Sequence, residues 1–238
     1  MRQIKLGIVI AKPEKKTISE IEKYISSDRV EMLMFPEGYL QSKNLEKVRG
    51  LAKKYQKWIV SGMDDRRNLS RRMQTGIIID PSGNIAGEHC KTSLTKWEIK
   101  GGYQRGDSIK AIDTPLGKFG FAICYEIHFP EVARILALQG AGIIFNPIGS
   151  GMWDEAQFEV WNAIARARAS ENNVFVVGCS HFNDHIPIAF AYAPSGECLV
   201  SSRKQNRMVQ VVLSLAKHKT EKNFGQRRPE LYSDLICV

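Results

Sequence analysis

One of the five cysteines stands in a sequence context typical of a catalytic nucleophile. Cys124 follows the apolar run Lys118–Ile123 and precedes Pro130, a residue that can open a helix at its first position. A strand, a tight turn and a helix in this order resemble a nucleophile elbow, which exposes the side chain and directs a backbone N–H toward an oxyanion. A free cysteine is as often a small buried hydrophobe. We adopt that second interpretation for Cys90, Cys179, Cys198 and Cys237.

A cysteine nucleophile needs a base, because the thiolate and not the thiol attacks. Glu37 follows the run VEMLMFP, so a carboxylate stands at the end of an apolar strand, where burial can raise its pKa toward that of a working base. An acid in the first turn of a helix would explain Glu37 equally well. The alternative base is His128, four residues after Cys124, which would form a Cys–His dyad as in a peptidase.

A cation is the third group that such a reaction can use. Lys91 follows the predicted strand Ile85–His89. A lysine at a strand end is usually a solvated surface residue. Its functional role would be that of a fixed cation that pairs with Glu37 and stabilises the oxyanion of a tetrahedral intermediate. Each of these three residues is ambiguous when it is taken alone.

The elements that must position these residues follow from hydrophobic periodicity. Helical spacing predicts helices over Lys16–Ser26, Leu45–Tyr55, the segment from Pro130 to Gly140, and Asp154–Glu171. Short apolar runs predict twelve strands: Gln3–Ile10, Val30–Phe35, Trp58–Met63, Gln74–Asp80, Ile85–His89, Ser108–Asp113, Lys118–Ile123, Ala141–Phe145, Val174–Cys179, Ile188–Ala193, Glu197–Ser202 and Met208–Leu213. The 238-residue chain is predicted to form a single domain with a polar, extended tail from about residue 214.

The two halves of the chain resemble each other at a nearly constant separation. Lys5–Ala11 resembles Lys118–Cys124, an offset of 118 − 5 = 113 residues. The turn at Pro81-Ser82-Gly83 recurs at Pro194-Ser195-Gly196, again at 194 − 81 = 113. Two similar β-α-β halves, each a sheet covered by helices, predict an α/β fold in which the sheets face each other in an α-β-β-α sandwich. Ligand sites of such sheets lie at the carboxyl ends of the strands.

Three motifs in order resemble those of the nitrilase superfamily of carbon–nitrogen hydrolases. They are Phe35–Gly38 (FPEG), Cys90–Leu94 (CKTSL) and Cys124–Glu131 (CYEIHFPE). The resemblance implies a four-layer α-β-β-α sandwich, a Glu37-Lys91-Cys124 triad and, as a fourth catalytic residue, Glu98. It further implies a small amide or carbamoyl substrate, a homodimer or higher homo-oligomer, and no cofactor or metal. The motif departs from the family pattern at Cys90, Glu126 and His128.

Three further residues are expected to hold the substrate or its oxyanion. The backbone N–H of Tyr125 follows the nucleophile directly and is expected to stabilise the oxyanion. Tyr125, Asn146 and Trp153 are expected to line the substrate pocket. The pair His181 and His185 is interpreted as two surface histidines, because no third metal ligand is in sight.

The net charge of +9 leaves a second class of function open. Basic residues cluster in Arg66–Arg72, Arg203–Arg207 and Arg227–Arg228. A catalytically inactive protein that binds anions or nucleic acid is the alternative to the enzyme, but no aromatic side chains alternate with these clusters, which favours a solvated basic surface. An anionic substrate lies between these two interpretations.

The odd number of cysteines and the absence of a membrane-length apolar run predict a cytoplasmic protein.

Overall fold

The computed structural model describes residues 2–11, 17–205, 207–215 and 226–236. The helices are α1 Thr17–Ile25, α2 Leu45–Tyr55, α3 Lys96–Lys100, α4 Pro130–Leu138 and α5 Glu155–Asn172. The strands are β1 Arg2–Ile10, β2 Met32–Gln41, β3 Trp58–Asn68, β4 Arg71–Ile79, β5 Ile85–Cys90, β6 Ile112–Thr114, β7 Gly117–Phe121, β8 Ala141–Ile148, β9 Phe175–Ser180, β10 Ala189–Tyr192, β11 Cys198–Ser202 and β12 Arg207–Leu215.

The strands form two six-stranded sheets with matching internal order. The first sheet runs β12-β1-β2-β3-β4-β5, and the second runs β6-β7-β8-β9-β10-β11 when read from its corresponding edge. In both sheets the second, third and fourth strands are parallel, and the flanking pairs are antiparallel. The hairpin turns at Gly83 and Gly196 even share the same φ of +81°. The 113-residue half-repeat is therefore present in the fold.

Alternating side chains of a strand pack into two different hydrophobic cores, one on each face of its sheet. In β1, Ile4, Leu6 and Ile8 point into the core between the two sheets, where they meet residues such as Phe121 of the second sheet. Val9 points to the opposite face, against α1 and α2. The second sheet packs its outer face on α4 and α5 in the same way. The predicted four-layer α-β-β-α sandwich is thus confirmed.

Element boundaries differ from the predictions where polar residues take part. Strand β2 continues beyond Phe35 to Gln41, with a register shift between Phe35 and Leu40, so Glu37 lies inside the strand and not after it. The predicted strand Ser108–Asp113 is reduced to Ile112–Thr114. Helix α3 was not predicted, because five residues are too few to show a helical period.

The described part of the segment from residue 214, predicted to be an extended tail, contains the end of a strand and two short helices. Strand β12 runs on to Leu215, and Pro229–Leu231 and Ser233–Ile236 form 3₁₀ helices. Tyr232 and Leu235 of this part line a groove together with Arg134 of α4. No helix among the described residues has the length and apolar character needed to cross a membrane.

Candidate active site

Cys124 lies on a strained turn that follows β7. It opens the 3₁₀ turn Cys124–His128 and has a φ of +48°, a left-handed conformation that a residue with a β-carbon rarely adopts. Pro130 is the first residue of α4, as predicted. The strand–turn–helix arrangement expected for a nucleophile elbow is therefore present at this cysteine.

Asn146 supports this turn from beneath and does not line a pocket. Its side chain is fully buried and donates through Nδ2 to the carbonyl oxygens of Ala122 and, at 3.1 Å, Cys124. The indole N–H of Trp161 donates to Asn146 Oδ1 at 2.9 Å. The predicted role of Asn146 in contacting the substrate is corrected accordingly, because every polar atom of its amide faces protein. Asn146 is a positioning residue for the Cys124 backbone.

The structure brings together Glu37 from within β2, Lys91 from the end of β5 and Cys124 from the turn after β7. Lys91 Nζ donates to Glu37 Oε1 at 2.8 Å, although 54 residues separate the two in the chain. The Cys124 thiol interacts with the Glu37 carboxylate and with the backbone N–H of Gly149. The side chain of Lys91 has no exposed surface, so its cationic head is dedicated to this cluster.

Glu98 provides a second carboxylate for Lys91. Lys91 Nζ lies 2.6 Å from Glu98 Oε1. The other oxygen of Glu98 accepts the backbone N–H of Thr95 at 2.7 Å, and the Thr95 hydroxyl accepts the Glu98 N–H, which makes a capping box at the start of α3. The short helix thus fixes Glu98 and, through it, the position of Lys91.

Burial and charge set the protonation states of these groups. Burial raises the pKa of Glu37, although Lys91 opposes this shift. Burial and the charge of Glu37 raise the pKa of Cys124 to about 12, so the thiol is protonated at neutral pH. Burial disfavours the charge on Lys91, but the carboxylates of Glu37 and Glu98 and the nearby sulfur outweigh it and hold the pKa of Lys91 above its ordinary value. At neutral pH Cys124 is therefore a thiol and Lys91 an ammonium group.

Glu126 ties the Lys91 strand to the Cys124 turn. Its fully buried carboxylate accepts the N–H of Thr92 at 2.7 Å, the N–H of Ile123 at 2.8 Å and the ring of His89 at 3.1 Å. Burial opposes its charge, but the bonds from His89 and Thr92 outweigh burial and lower the pKa of Glu126. Sequence reasoning marked Glu126 only as a departure from the family motif. Its carboxylate joins the segments that carry two members of the cluster.

His181 and Gly149 are two residues of the site that sequence reasoning missed. His181 is buried and contacts the carbonyl oxygen of Glu37 through Nε2 at 2.8 Å, so the prediction of a surface histidine is wrong. A β-carbon on Gly149 would lie 2.5 Å from Glu37 Oε2, which means that glycine makes room for this carboxylate. Gly149 lies shortly after the carboxyl end of the predicted strand Ala141–Phe145, where ligand sites of such sheets lie, and this was the available signal.

His128 does not take the place of Glu37 in the structure. Its Nδ1 lies 3.3 Å from the carbonyl oxygen of Tyr125, and its ring packs edge-on against Trp161 at a centroid distance of 4.7 Å. Burial lowers the pKa of His128. The carboxylate that interacts with the Cys124 thiol is that of Glu37.

A cavity of about 600 Å³ opens onto Cys124. Tyr125 and Trp153, both predicted to line the pocket, are part of its wall and are 40% and 67% exposed. Indole rings of Trp97 and Trp161 and the side chain of Leu94 add to the apolar surface. The volume fits a small organic molecule with the reacting carbon at the sulfur.

Much of the basic surface is neutralised by the protein itself. In the cluster Arg66–Arg72, Arg67 pairs with Asp65 and Glu88, and Arg72 pairs with Asp64 at 3.0 Å. In the second cluster, Arg203 pairs with Glu155. Paired guanidinium groups are poor anchors for phosphates, which favours the interpretation of a solvated surface over a nucleic-acid interface.

The chain resembles known proteins in sequence and in fold. Residues 14–217 match the family model described as carbon-nitrogen hydrolase. A hydrolase from Schizosaccharomyces pombe is 27% identical over 214 residues, covering 82% of this chain and 66% of that protein. An N-carbamoylputrescine amidase from Solanum lycopersicum is 30% identical over 187 residues, covering 68% of this chain and 62% of that protein. The match thus spans less than two-thirds of either relative.

Two solved structures share the fold. The carbon–nitrogen hydrolase from Helicobacter pylori superposes with a TM-score of 0.88 at 20% identity, covering 99% of both chains. A Glu-to-Gln mutant of the amidase from a Nesterenkonia species superposes with a TM-score of 0.81 at 20% identity, covering 98% of this chain and 95% of that one. That structure shows the acetamide moiety of fluoroacetamide added covalently to the active-site cysteine. The predicted family is confirmed by the model match, and the chain belongs to the carbon–nitrogen hydrolase family.

Proposed function

We propose that this protein hydrolyses the carbon–nitrogen bond of a small amide or carbamoyl compound through a thioester on Cys124. The observation that carries the proposal is the contact of one carboxylate, Glu37, with both the buried ammonium of Lys91 and the thiol of Cys124. A base, a nucleophile and a cation then surround one reacting carbon, as acyl transfer requires.

In the acylation step Glu37 accepts the thiol proton, and the sulfur of Cys124 forms a bond to the carbonyl carbon. The carbonyl electron pair moves onto oxygen, where the ammonium of Lys91 and the backbone N–H of Tyr125 stabilise the charge. When the carbonyl re-forms, the carbon–nitrogen bond breaks, and Glu37 returns its proton to the leaving nitrogen. Ammonia or an amine departs, and the thioester remains.

Hydrolysis of the thioester uses the same groups. Glu37 accepts a proton from water, and the hydroxide oxygen attacks the thioester carbon. Collapse of the second tetrahedral intermediate breaks the carbon–sulfur bond, and the thiolate regains its proton from Glu37. In each step Glu37 first accepts a proton and later returns it. The raised pKa of this carboxyl suits both its role as base and its role as acid.

The substrate class is supported by relatives and by the cavity. The relative from S. lycopersicum is named as an amidase of a carbamoyl compound, and the Nesterenkonia amidase carries an acetamide group on its cysteine. The cavity of about 600 Å³ beside Cys124 suits a ligand of that size. Glu98 is proposed as the positioning residue that holds Lys91 for the oxyanion.

The test is ammonia release from a panel of small amides and carbamoyl compounds. We expect turnover by the wild type, and losses of about 10³-fold or more in the variants Glu37→Gln and Lys91→Met, with a folded circular dichroism spectrum in each. His128→Ala should retain most activity. Full activity of Glu37→Gln together with loss in His128→Ala would favour the Cys–His dyad. No turnover of any compound, with RNA or DNA retarded in a gel by the same protein, would favour the binding protein.

Homo-oligomerisation is part of the proposal. Its support is a set of exposed apolar side chains on the outer helices α4 and α5, namely Ile135, Leu138 and Val160. Apolar side chains on the outer surface favour burial against another copy. Light scattering after gel filtration should give at least twice the mass of one chain, and Leu138→Lys should lower it. A monomer at micromolar concentration would contradict this part.

A further inference from the structure

Two cations in the wall of the active-site cavity have no partner among the described residues. The residues that line this cavity include Lys96 and Arg105 and contain no aspartate or glutamate. In the described part of the chain, neither side chain makes a hydrogen bond, an ion pair or a cation–π contact. Other arginines near this end of the molecule, such as Arg67 and Arg72, are paired with carboxylates. Lys96 and Arg105 are therefore available to a ligand.

The segment that carries both cations is fixed at its ends. Lys96 is the first residue of α3, whose capping box holds Thr95 and Glu98 together. At the other end the N–H of Gly106 donates to the carbonyl oxygen of Lys91 at 2.8 Å. Residues 95–106 thus form one wall of the cavity, anchored to the same lysine that contacts Glu37.

The groups next to Cys124, behind the lining at that end of the cavity, have the opposite charge balance. There, the two carboxylates of Glu37 and Glu98 face the single ammonium of Lys91. An anionic group placed at that end would be repelled by the excess carboxylate, whereas a neutral amide would not. These charges would orient a ligand that has one neutral and one anionic end. The neutral end would lie at Cys124 and the anionic end toward Lys96 and Arg105.

We infer that the substrate is an amide that carries a carboxylate at the end remote from the reacting carbon–nitrogen bond, with Arg105 as its principal partner and Lys96 assisting. This inference rests on the proposed function and specifies its substrate class. Arg105 is suited to the role because a guanidinium group can bind both carboxylate oxygens at once. The indole and phenol rings of the wall pack on the carbon chain between the two ends.

The direct test compares three amides of similar length that differ in the charge of the remote end. They are glutaramate, with a carboxylate, pentanamide, with a methyl group, and 5-aminopentanamide, with an ammonium group. We expect kcat/KM to be about tenfold or more higher for glutaramate than for pentanamide, mainly through KM, and lowest for 5-aminopentanamide. The preference should shrink in high salt, because exposed cations are screened.

Variants assign the preference to named residues. Arg105→Gln should remove most of the preference with little change in kcat for pentanamide, and Arg105→Glu should make 5-aminopentanamide the better substrate. Lys110→Gln is the matched control: it removes one exposed positive charge from the same stretch of chain but does not line the cavity. Retention of the full preference in both Arg105 variants would overturn the assignment.

A second readout does not depend on turnover. Cys124 can add to the double bond of a maleimide, forming a carbon–sulfur bond while the thiol proton is transferred to the neighbouring carbon. The ratio of the Cys124 reaction rate with 3-maleimidopropionate to that with N-ethylmaleimide should be about tenfold higher in the wild type than in Arg105→Gln. Both rates are measured on the Cys124 peptide by mass spectrometry.

The two readouts separate the inference from the proposed function. Equal rates with all three amides, lost in Cys124→Ala, would leave the hydrolase in place and overturn the anionic substrate. A second outcome is that none of the three amides is hydrolysed and that the ratio of the two maleimide rates is the same in wild type and Arg105→Gln. That outcome would overturn the anionic substrate as well. A maleimide preference without amide turnover would support the anion-binding wall and contradict the proposed reaction.

Discussion

Gly149 lies so close to the Glu37 carboxylate that a side chain at position 149 would displace it. A β-carbon at Gly149 would lie 2.5 Å from Glu37 Oε2. The N–H of the same glycine interacts with the Cys124 sulfur. Residue 149 therefore limits the position of the base while it orients the nucleophile. Its backbone conformation is not left-handed, so the need for glycine here is one of space.

Gly149→Ala is expected to lower kcat/KM by about 100-fold, because displacement of a reacting group by an ångström has this effect. The measurement is steady-state hydrolysis of the best amide from the panel. Gly142→Ala in the same strand β8 is the matched control, since its β-carbon would meet nothing closer than a carbonyl oxygen 4.0 Å away. Equal activity of the two variants would show that Glu37 does not need its observed position.

The pH dependence of kcat/KM should report the raised pKa of Glu37. The carboxylate form is the base, so activity should fall as the pH decreases, with a midpoint above the ordinary glutamate value of about 4.3. Burial is the main cause of that shift. In His128→Gln the midpoint should stay in place. An acid limb that moves or disappears in His128→Gln would assign the base to the histidine.

Glu98→Gln should shift that same acid limb to lower pH. The negative charge of Glu98 contributes to the raised pKa of Glu37, so its removal lowers this pKa. We also expect kcat to fall about tenfold, because Lys91 loses one of its two carboxylate partners. Glu197→Gln, an exposed carboxylate away from the cavity, should leave both quantities unchanged. A reduced kcat without any shift of the limb would indicate only a structural role.

The sheets were predictable from sequence because both of their faces are covered. Strands buried on both sides read as continuous apolar runs, and β1 and β8 are examples. The turns at Pro81–Gly83 and Pro194–Gly196 then identified the hairpins. Helix α2 was predicted with its observed bounds, since its apolar side chains follow the helical period.

The polar interior of the site was much less predictable. Glu126, Asn146 and His181 each have a partner far away in the chain, at separations of 34, 22 and 144 residues. No local periodicity reveals such contacts, and each residue type is usually exposed. The extension of β2 through Pro36 was missed because proline usually ends a strand that lies inside a sheet.

Glu126→Ala is expected to lower the free energy of unfolding by about 3–5 kcal/mol at pH 7, the usual effect of breaking a buried charged network. The pKa of Glu126 is lowered in the folded protein, so its contribution is present above the unfolded value of about 4.3 and is lost as the pH falls through the folded value. Urea unfolding at pH 7 and at pH 3 measures this.

The difference between wild type and Glu126→Ala should therefore shrink at the lower pH. Glu197→Ala serves as the control, with an expected change within about 0.5 kcal/mol for an exposed site. Equal unfolding energies for wild type and Glu126→Ala at pH 7 would show that the network between Thr92, Ile123 and His89 does not stabilise the fold.

Cys124 is expected to become acylated during turnover. Acid quenching of the enzyme in the presence of a hydrolysed amide, followed by digestion and mass spectrometry, measures this directly. The Cys124 peptide should gain the mass of the acyl group minus one hydrogen, and Cys124→Ala should release no ammonia while it stays folded. Turnover by Cys124→Ala, or an acyl group found on another residue, would contradict the proposed thioester on Cys124.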